Sequence, residues 1–228
     1  MKLTLIRKKT EAPNVESFIF SSAEPLSWKA GQFLHYVLHH EPTDDRGSDR
    51  WFTVASAPFE NEVMITTRLA DEKGSSFKAA LAALPIGESI EISDVDGDFI
   101  VDDATQEYVF IAGGIGITPF HSILKEAHHA GMRLRATLLY ANRDTDVPYQ
   151  EELETLQKDN PALNIHYIIS PQRIDEALIK KIVSDVQKPI FYVSGPEPMV
   201  KSLSGILEGM GIAKGRIRQD DFPGYPAE

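Results

Sequence analysis

The sequence predicts a β + α/β chain, with a small antiparallel six-stranded β-barrel followed by a nucleotide-binding domain on a five-stranded parallel sheet. Three observations predict this fold class. Residues 1–103 contain short runs of β-branched and aromatic residues between turn residues, as antiparallel strands do. From residue 105 such runs alternate with helical stretches, which is typical of parallel strands with right-handed crossovers. A glycine-rich turn follows the first of these later runs. We place the boundary near residues 102–105, giving domains 1–103 and 104–228.

The predicted strands of the first domain are short and separated by clusters of Pro, Asn, Asp, Gly and Ser. They are residues 3–7, 15–20, 33–38, 51–55, 63–69 and 89–92. One helix, residues 76–84, interrupts them and ends before Pro85. Gly74, Ser75 and Ser76 precede it. We therefore expect a hydroxyl cap and free backbone N–H groups there, where a pyrophosphate can bind.

The second domain is predicted to alternate strands with helices. The strands are residues 108–112, 134–140, 165–170, 190–194 and 217–219, and the helices are residues 119–130, 148–158, 175–186 and 198–210. Ligands bind such sheets at the carboxyl ends of the strands. We therefore expect the turn at Gly113, the segment 141–143 and the segment 194–196 to lie along one edge.

The turn itself has the order strand, glycines, helix. An apolar run ends at Ala112, and Gly113, Gly114 and Gly116 precede Thr118 and Pro119. Glycine permits positive φ and close approach of a ligand to the backbone. Proline suits the first turn of a helix, where its missing N–H costs little. Unpaired N–H groups at a helix start bind phosphates, although an ordinary tight turn is the alternative.

A second candidate motif runs from Arg50 to Ser56. On a continuous strand Arg50, Phe52 and Ser56 share one face, and Thr53 points the other way. The guanidinium of Arg can donate two parallel hydrogen bonds to a phosphate. Phe provides a flat apolar contact for a planar ring, and a hydroxyl can hydrogen-bond a nitrogen or oxygen of that ring. The alternative is a surface strand with an incidental Arg.

Four motifs, in this order, resemble those of the ferredoxin–NADP reductase superfamily across nearly the whole chain. They are Ala30-Gly31-Gln32-Phe33, Arg50-x-Phe52-Thr53, Lys73-Gly74-Ser75-Ser76 and Gly113-Gly114-x-Gly116-x-Thr118-Pro119. A fifth segment, Ser194-Gly195-Pro196-Glu197-Pro198-Met199, resembles the family's Cys-Gly-Pro-x-x-Met pattern with Ser in place of Cys.

The resemblance implies an FAD-dependent NAD(P)H oxidoreductase that moves hydride from nicotinamide to flavin and electrons on to a separate acceptor. The acceptor is expected to be a ferredoxin-like carrier or a small molecule. Two alternatives stay open: a flavin reductase that uses flavin as a substrate, and a non-catalytic flavin-binding relay subunit of a larger complex. The choice between FAD and FMN is open, and so is the choice between NADH and NADPH. Arg143 suits a 2′-phosphate, whereas Asp144 and Asp146 beside it repel one.

The resemblance also implies roles for individual residues. The cofactor-binding residues are expected to be Arg50, Phe52, Thr53, Ser56, Thr67, Gly74, Ser75, Ser76, Gly113, Gly114, Gly116, Thr118, Pro119, Arg143, Gly195 and Met199. The catalytic residues are expected to be Thr53, Ser194, Asp220 and Phe222. Phe222 is expected to cover the flavin face that nicotinamide must reach, with Tyr225 as its rival.

The composition excludes several classes. With no cysteine, the sequence can form no disulfide, no thiolate-ligated iron–sulfur cluster and no thiolate zinc site. The net charge of −11 argues against nucleic-acid and anionic-membrane partners. Adjacent histidines, as at 39–40 and 128–129, rarely share a face, so no metal site is expected. No stretch is long and apolar enough to cross a bilayer, and the charged start is a poor secretory signal, so we expect a cytoplasmic location. The expected oligomeric state is a monomer or a homodimer.

Overall fold

A computed structural model describes residues 1–69 and 74–222, and it contains two sheets of different class. The first is a curled antiparallel sheet of six strands, and the second is a parallel sheet of five. The predicted fold class is confirmed. The segment 97–106 connects the sheets.

The first sheet has the spatial order β4-β3-β6-β1-β2-β5. Its strands are β1 Lys2–Ala12, β2 Val15–Ser22, β3 Phe33–Val37, β4 Asp49–Thr53, β5 Val63–Arg68 and β6 Ser89–Asp96, with helix α1 at Ser76–Ala83. Just beyond β4, the N–H of Ala55 donates to the carbonyl of Met64 on β5 at 2.8 Å. This bond joins the two edges of the curled sheet, so the sheet wraps around its own apolar core as a barrel does.

The predicted strand 51–55 is wrong at its carboxyl end, because β4 ends at Thr53. The chain then turns through a 3-10 helix at Pro58–Glu60 before β5 begins. The hydroxyl of Ser56 stabilises this turn. It donates to the carbonyl of Glu62 at 2.6 Å and accepts from the N–H of Met64 at 3.0 Å.

The second sheet has the order β11-β10-β7-β8-β9, with all neighbours parallel. Its strands are β7 Glu107–Gly113, β8 Arg135–Asn142, β9 Leu163–Ile169, β10 Ile190–Pro196 and β11 Ile217–Phe222, and its helices are α2 Thr118–His129, α3 Gln150–Asp159, α4 Glu176–Ile182 and α5 Glu197–Gly209. Strand order reverses between β7 and β10. In open parallel sheets this reversal creates the crevice at the carboxyl ends where ligands bind.

Helix α2 packs against both sheets. The ring of Phe120 on α2 lies 4.9 Å from that of Phe110 on β7 and 5.5 Å from that of Phe99 in the connecting segment. Barrel residues, including Ile19 and Met64, belong to the same buried cluster. The two sheets therefore share this cluster, to which α2 contributes, in addition to the barrel's own core.

Buried polar side chains of α2 fix the backbone that follows β4. The Nδ1–H of His121 donates to the carbonyl of Ala55 at 2.7 Å, and the hydroxyl of Ser122 donates to the carbonyl of Ser56 at 2.7 Å. Both side chains are fully buried. The other ring nitrogen of His121 lies 2.9 Å from the carboxylate of Glu152, and the hydrogen bond from His121 is the largest cause of the lowered pKa of Glu152.

In the described residues, no helix is long and apolar enough to span a membrane. Within the same ranges, no group of three or more His, Asp or Glu side chains is placed to hold a metal ion.

Replacing Ser122 tests the polar link between α2 and the barrel. Ser122→Ala leaves the buried carbonyl of Ser56 without its hydroxyl donor. We expect the free energy of unfolding to fall by about 1–3 kcal/mol, the cost of an unsatisfied buried group. Urea unfolding followed by circular dichroism measures this change. Ser202→Ala, at an exposed position of α5, is the matched control and should change stability by less than about 0.5 kcal/mol. Equal values for the two variants would contradict the proposed link.

Candidate functional site

The glycine turn lies at the point where the strand order reverses. Strand β7 ends at Gly113, a 3-10 helix follows at Gly114–Ile117, and α2 continues from Thr118 with Pro119 in its first turn. The carboxyl end of β10, Ser194 to Pro196, lies beside it. The predicted order of strand, turn and helix is therefore present at the expected edge.

The three glycines of the turn have different physical roles. Only Gly114 has a positive φ, of +51°, and a Cβ added there would meet nothing within 4 Å. A Cβ on Gly113 would lie 2.3 Å from the sulfur of Met199, and one on Gly116 would lie 2.3 Å from the carbonyl oxygen of Ser194. Gly113 and Gly116 thus permit close packing of the turn against β10 and α5, whereas Gly114 leaves an open face for a ligand. The sequence could not separate these roles.

Gly195 completes this packing. Its φ is +155°, and a Cβ added there would lie 2.6 Å from the Cε of Met199. Met199 therefore fills the space between Gly113 and Gly195.

Ser194 and Asp220 form a polar pair at the same edge. They are direct neighbours across β10 and β11, and the fully buried hydroxyl of Ser194 donates to the Asp220 carboxylate at 3.2 Å. Burial raises the pKa of Asp220 to about 6, and the nearby Asp221 adds to this, while the Ser194 bond opposes it. Asp220 is therefore a carboxyl group that takes up a proton at about pH 6, well above the range of an ordinary aspartate. The backbone of Phe222 pairs with Pro196 two residues further along, and Tyr225 lies outside the described residues.

The end of β8 supplies the next part of the edge. The side chain of Asn142 is buried, and within the described ranges its amide nitrogen has no hydrogen-bond partner. Arg143 follows and is exposed, and the carboxylate of Asp144 accepts the N–H of Asp146 at 3.1 Å. The opposing charges that the sequence shows at this position are therefore present side by side on the surface.

On the barrel, Arg50 and Phe52 lie over the start of α1. The guanidinium carbon of Arg50 is 5.6 Å from the ring centre of Phe77, and the ring of Phe52 is 5.7 Å from the same ring. The guanidinium also donates to the hydroxyl of Ser75 at 3.3 Å. Thr53, at the end of β4, is buried. The Arg, the aromatic ring and the Gly-Ser-Ser turn are therefore neighbours, although 25 residues separate Arg50 from Ser75.

Two other residues of the predicted set lie elsewhere. The expected shared face of Ser56 with Arg50 and Phe52 is wrong, because β4 ends before Ser56 and the Ser56 hydroxyl binds the turn before β5. Thr67 is buried in β5, where it pairs with Glu16 of β2. Lys73, which precedes Gly74 in the motif, lies outside the described residues.

The expected hydroxyl cap on α1 is also wrong. Ser75 makes no side-chain cap, and the carboxylate of Asp44 accepts the N–H of Ser76 at 2.9 Å instead. The same carboxylate accepts from the guanidinium of Arg50 at 3.0 Å and from the N–H of Arg46 at 2.9 Å. The N–H of Ser76 is the largest cause of the lowered pKa of Asp44. Sequence analysis missed Asp44, whose only signal was its place in the polar turn before Arg50.

A known family model matches much of the second domain. The model of the oxidoreductase NAD-binding domain matches residues 110–204, which include the glycine turn and the Ser194–Met199 segment. The chain is 28% identical over 231 residues to the ferredoxin reductase component of 3-ketosteroid-9-alpha-monooxygenase from Rhodococcus rhodochrous, covering 96% of this chain and 64% of that protein. The match spans the barrel as well as the second domain.

These matches support a place in the ferredoxin–NADP reductase-like superfamily, which the chain resembles over both domains. A flavohemoprotein from Rhodopirellula baltica is 26% identical over 95% of the chain and 59% of its own length. The chain thus spans about 60% of the length of these two relatives.

Two solved structures share the superfamily fold. One is the flavohem-like FAD/NAD binding domain of nitric oxide dioxygenase from Vibrio cholerae, with a TM-score of 0.82, 20% identity, and coverage of 97% of this chain and 98% of that one. The other is ferredoxin-NADP+ reductase from Plasmodium falciparum, with a TM-score of 0.81, 20% identity, and coverage of 97% and 95%. Both cofactors that the motifs predict, FAD and NAD(P)H, are those of this superfamily.

The residues present fit both superfamily cofactors. Arg50 and the N–H of Ser76 already bind one anionic group, so their donors suit a phosphate. The open face of Gly114 at the start of α2 suits a dinucleotide at the strand ends.

Asp220 gives the stability of this chain a specific pH dependence. Its folded pKa is raised from 3.8 to about 6, so the stability that its neutral form contributes is complete below about pH 4 and is lost as pH rises through about 6. Asp220→Asn is neutral at every pH. We expect it to be more stable than the wild type at about pH 8, with a smaller difference at about pH 5. Urea unfolding at both values measures this. Ser194→Ala, which removes the donor to the ionised form, should shift the transition to higher pH. A difference independent of pH would contradict the assignment.

Proposed function

We propose that the chain is an FAD-dependent NAD(P)H oxidoreductase that moves hydride from nicotinamide to flavin and passes electrons to a separate acceptor. One observation carries the proposal: the anion-binding donors of the barrel and the open glycine turn are joined through a single buried helix. Arg50, on β4, contacts the start of α1. Gly114 lies at the amino end of α2, and side chains of α2 bind the backbone just after β4.

Barrel residues hold the flavin in this proposal. Arg50, Ser75 and the N–H of Ser76 bind its phosphate, with Gly74 leaving room for the turn. Phe52 supplies a flat contact to the ring system, and Thr53 a hydroxyl beside it. Bound flavin supplies the capacity to accept a hydride and release single electrons.

Residues at the parallel-sheet edge hold the nicotinamide dinucleotide. The open face at Gly114 and the start of α2, with Thr118 and Pro119, receive the pyrophosphate. Arg143 lies where the adenosine ribose is expected, and its acidic neighbours favour NADH slightly. The Ser194 hydroxyl donates to the Asp220 carboxylate at the same edge. Phe222 covers the flavin face until nicotinamide displaces it.

Electrons leave to a separate acceptor, either a ferredoxin-like protein or a small molecule. The names of several relatives support a separate acceptor. One relative is a ferredoxin reductase component. Another is the reductase subunit of stachydrine N-demethylase from Rhizobium meliloti, and a third is the reductase subunit of glycine betaine monooxygenase from Chromohalobacter salexigens. The sequence contains no cysteine to ligate an iron–sulfur cluster of its own. The cytoplasm is the proposed location, and a monomer or homodimer the proposed state.

The contact between Asp44 and Arg50 favours a second candidate, a flavin reductase that binds flavin as a substrate. The Asp44 carboxylate occupies the Arg50 donors that a flavin phosphate would use, so it weakens flavin binding. Weak binding suits a ligand that must leave after each turnover.

Spectroscopy of the purified protein tests the proposal. We expect bound FAD, seen as flavin absorbance in the visible range that survives gel filtration, and bleaching when NADH is added without oxygen. A colourless protein that reduces added flavin would assign the second candidate. A yellow protein that neither NADH nor NADPH bleaches would indicate a relay subunit and contradict hydride transfer. Absence of both flavin binding and NAD(P)H oxidation would refute both enzymatic functions.

Replacing Gly114 tests the nicotinamide turn separately. Gly114→Val puts a branched side chain on the open face and strains a left-handed backbone. We expect the KM for NADH to rise about tenfold or more while flavin content stays unchanged. Gly131→Val is the matched control, because Gly131 also has positive φ, +68°, and open space, but follows the other end of α2. Similar kinetic losses in both variants would indicate backbone strain rather than lost binding.

A further inference from the structure

The carboxylate of Asp44 occupies the donors expected to bind the flavin phosphate. Two donors of this cradle, the Arg50 guanidinium and the N–H of Ser76, lie 3.0 Å and 2.9 Å from its oxygens. The backbone and guanidinium of Arg46 add two more donors, at 2.9 Å and 3.0 Å. Such a set of N–H groups from two arginines and a helix start is the set that a phosphate group prefers.

Backbone and hydroxyl bonds hold the Asp44 loop on α1. The N–H of Asp44 donates to the hydroxyl of Ser76 at 2.9 Å, so the two residues bind each other reciprocally. The carbonyl of Leu38 accepts from the Nδ1–H of His40 at 2.7 Å. The other ring nitrogen of His40 accepts from the Ser76 hydroxyl at 2.9 Å. A surface cavity of about 360 Å³ lies beside this loop, lined by His39, His40, Glu41, Thr43 and Ser48.

Arg50 has no charged partner besides Asp44 among the described residues. Its Nη2 donates to that carboxylate and to Ser75, and its Nη1 donates to the carbonyls of Arg46, Gly47 and Asp49. The N–H of Ser76, followed by the backbone N–H and guanidinium of Arg46, holds the pKa of Asp44 below its usual range, so the carboxylate stays ionised at neutral pH. A second anion bound to the same donors would be repelled by it.

We propose that Asp44 is an internal competitor of the flavin phosphate, so that flavin binds by displacing one anion with another. Asp44 thereby lowers the affinity for phosphorylated flavins. This inference rests on the proposed function, because it takes the Arg50 cradle as the flavin phosphate site.

Asp44→Asn removes the charge and keeps the size of the side chain. We expect the dissociation constants of FAD and FMN, measured by quenching of flavin fluorescence, to fall about tenfold, the difference between a charged and a neutral competitor at one arginine. The affinity for riboflavin, which has no phosphate, should stay within about twofold. Asp45→Asn is the matched control, since it makes the same change at the exposed neighbour and should alter no affinity. Thermal melts check that each variant is folded.

The effect must also depend on Arg50. In an Arg50→Gln background, Asp44→Asn should no longer improve FAD binding. An unchanged or weaker FAD affinity in folded Asp44→Asn, or an equal gain for riboflavin, would overturn the inference while leaving the proposed function intact.

Inorganic pyrophosphate, used as a second ligand, distinguishes failure of the Asp44 inference from failure of the proposed function. If neither the wild type nor Asp44→Asn binds any flavin, the proposed function fails, and calorimetric titration with inorganic pyrophosphate tests Asp44 alone. Tighter pyrophosphate binding by Asp44→Asn than by the wild type would support competition at the cradle, and equal binding would overturn it.

Discussion

The attachment of α2 to the backbone that follows β4 is the constraint on which both candidate sites depend. His121 and Ser122 donate to consecutive carbonyls, those of Ala55 and Ser56, from positions that are fully buried. The amino end of the same helix forms the glycine turn, and β4 carries Arg50 and Phe52. Because a helix is stiff and its buried polar bonds are costly to break, the two sites are held at a fixed separation. Hydride transfer needs such a separation, since its rate depends on alignment of donor and acceptor carbons.

Two carboxyl groups near the sites have opposite electrostatic surroundings. Asp44 receives N–H donors, led by that of Ser76, and these lower its pKa. Asp220 is half-buried, with one hydroxyl donor and a second acidic residue nearby, and its pKa is raised. The first group is an anion at neutral pH that can compete with a phosphate. The second gains or loses a proton at about pH 6. The same chemical group thus has two roles that are set by its donors and its burial.

Much of the site could be predicted from local sequence. Arg50 and Phe52 lie on β4, Gly114 follows β7, and Ser194 lies near the end of β10; these positions could be predicted because strand and helix periodicity is a local property. The role of Ser56 could not be predicted, since the end of β4 is set by bonds to β5 and α2 rather than by its own residues. His121 gave no signal for the same reason. Its partners, Ala55 and Glu152, are 66 and 31 residues away.

The sequence by itself determined the two sheet types, their order and the positions of the glycine turn and the Arg50 motif, because each follows from residue type and spacing. Only the tertiary structure decided which residues that are distant in sequence contact each other. It assigned the cap of α1 to Asp44 instead of Ser75, and it separated the packing role of Gly113 and Gly116 from the open face of Gly114. The physical reason is that a hydrogen bond or a close packing contact depends on distance in space, and folding brings together donors, acceptors and side chains that the linear order keeps apart.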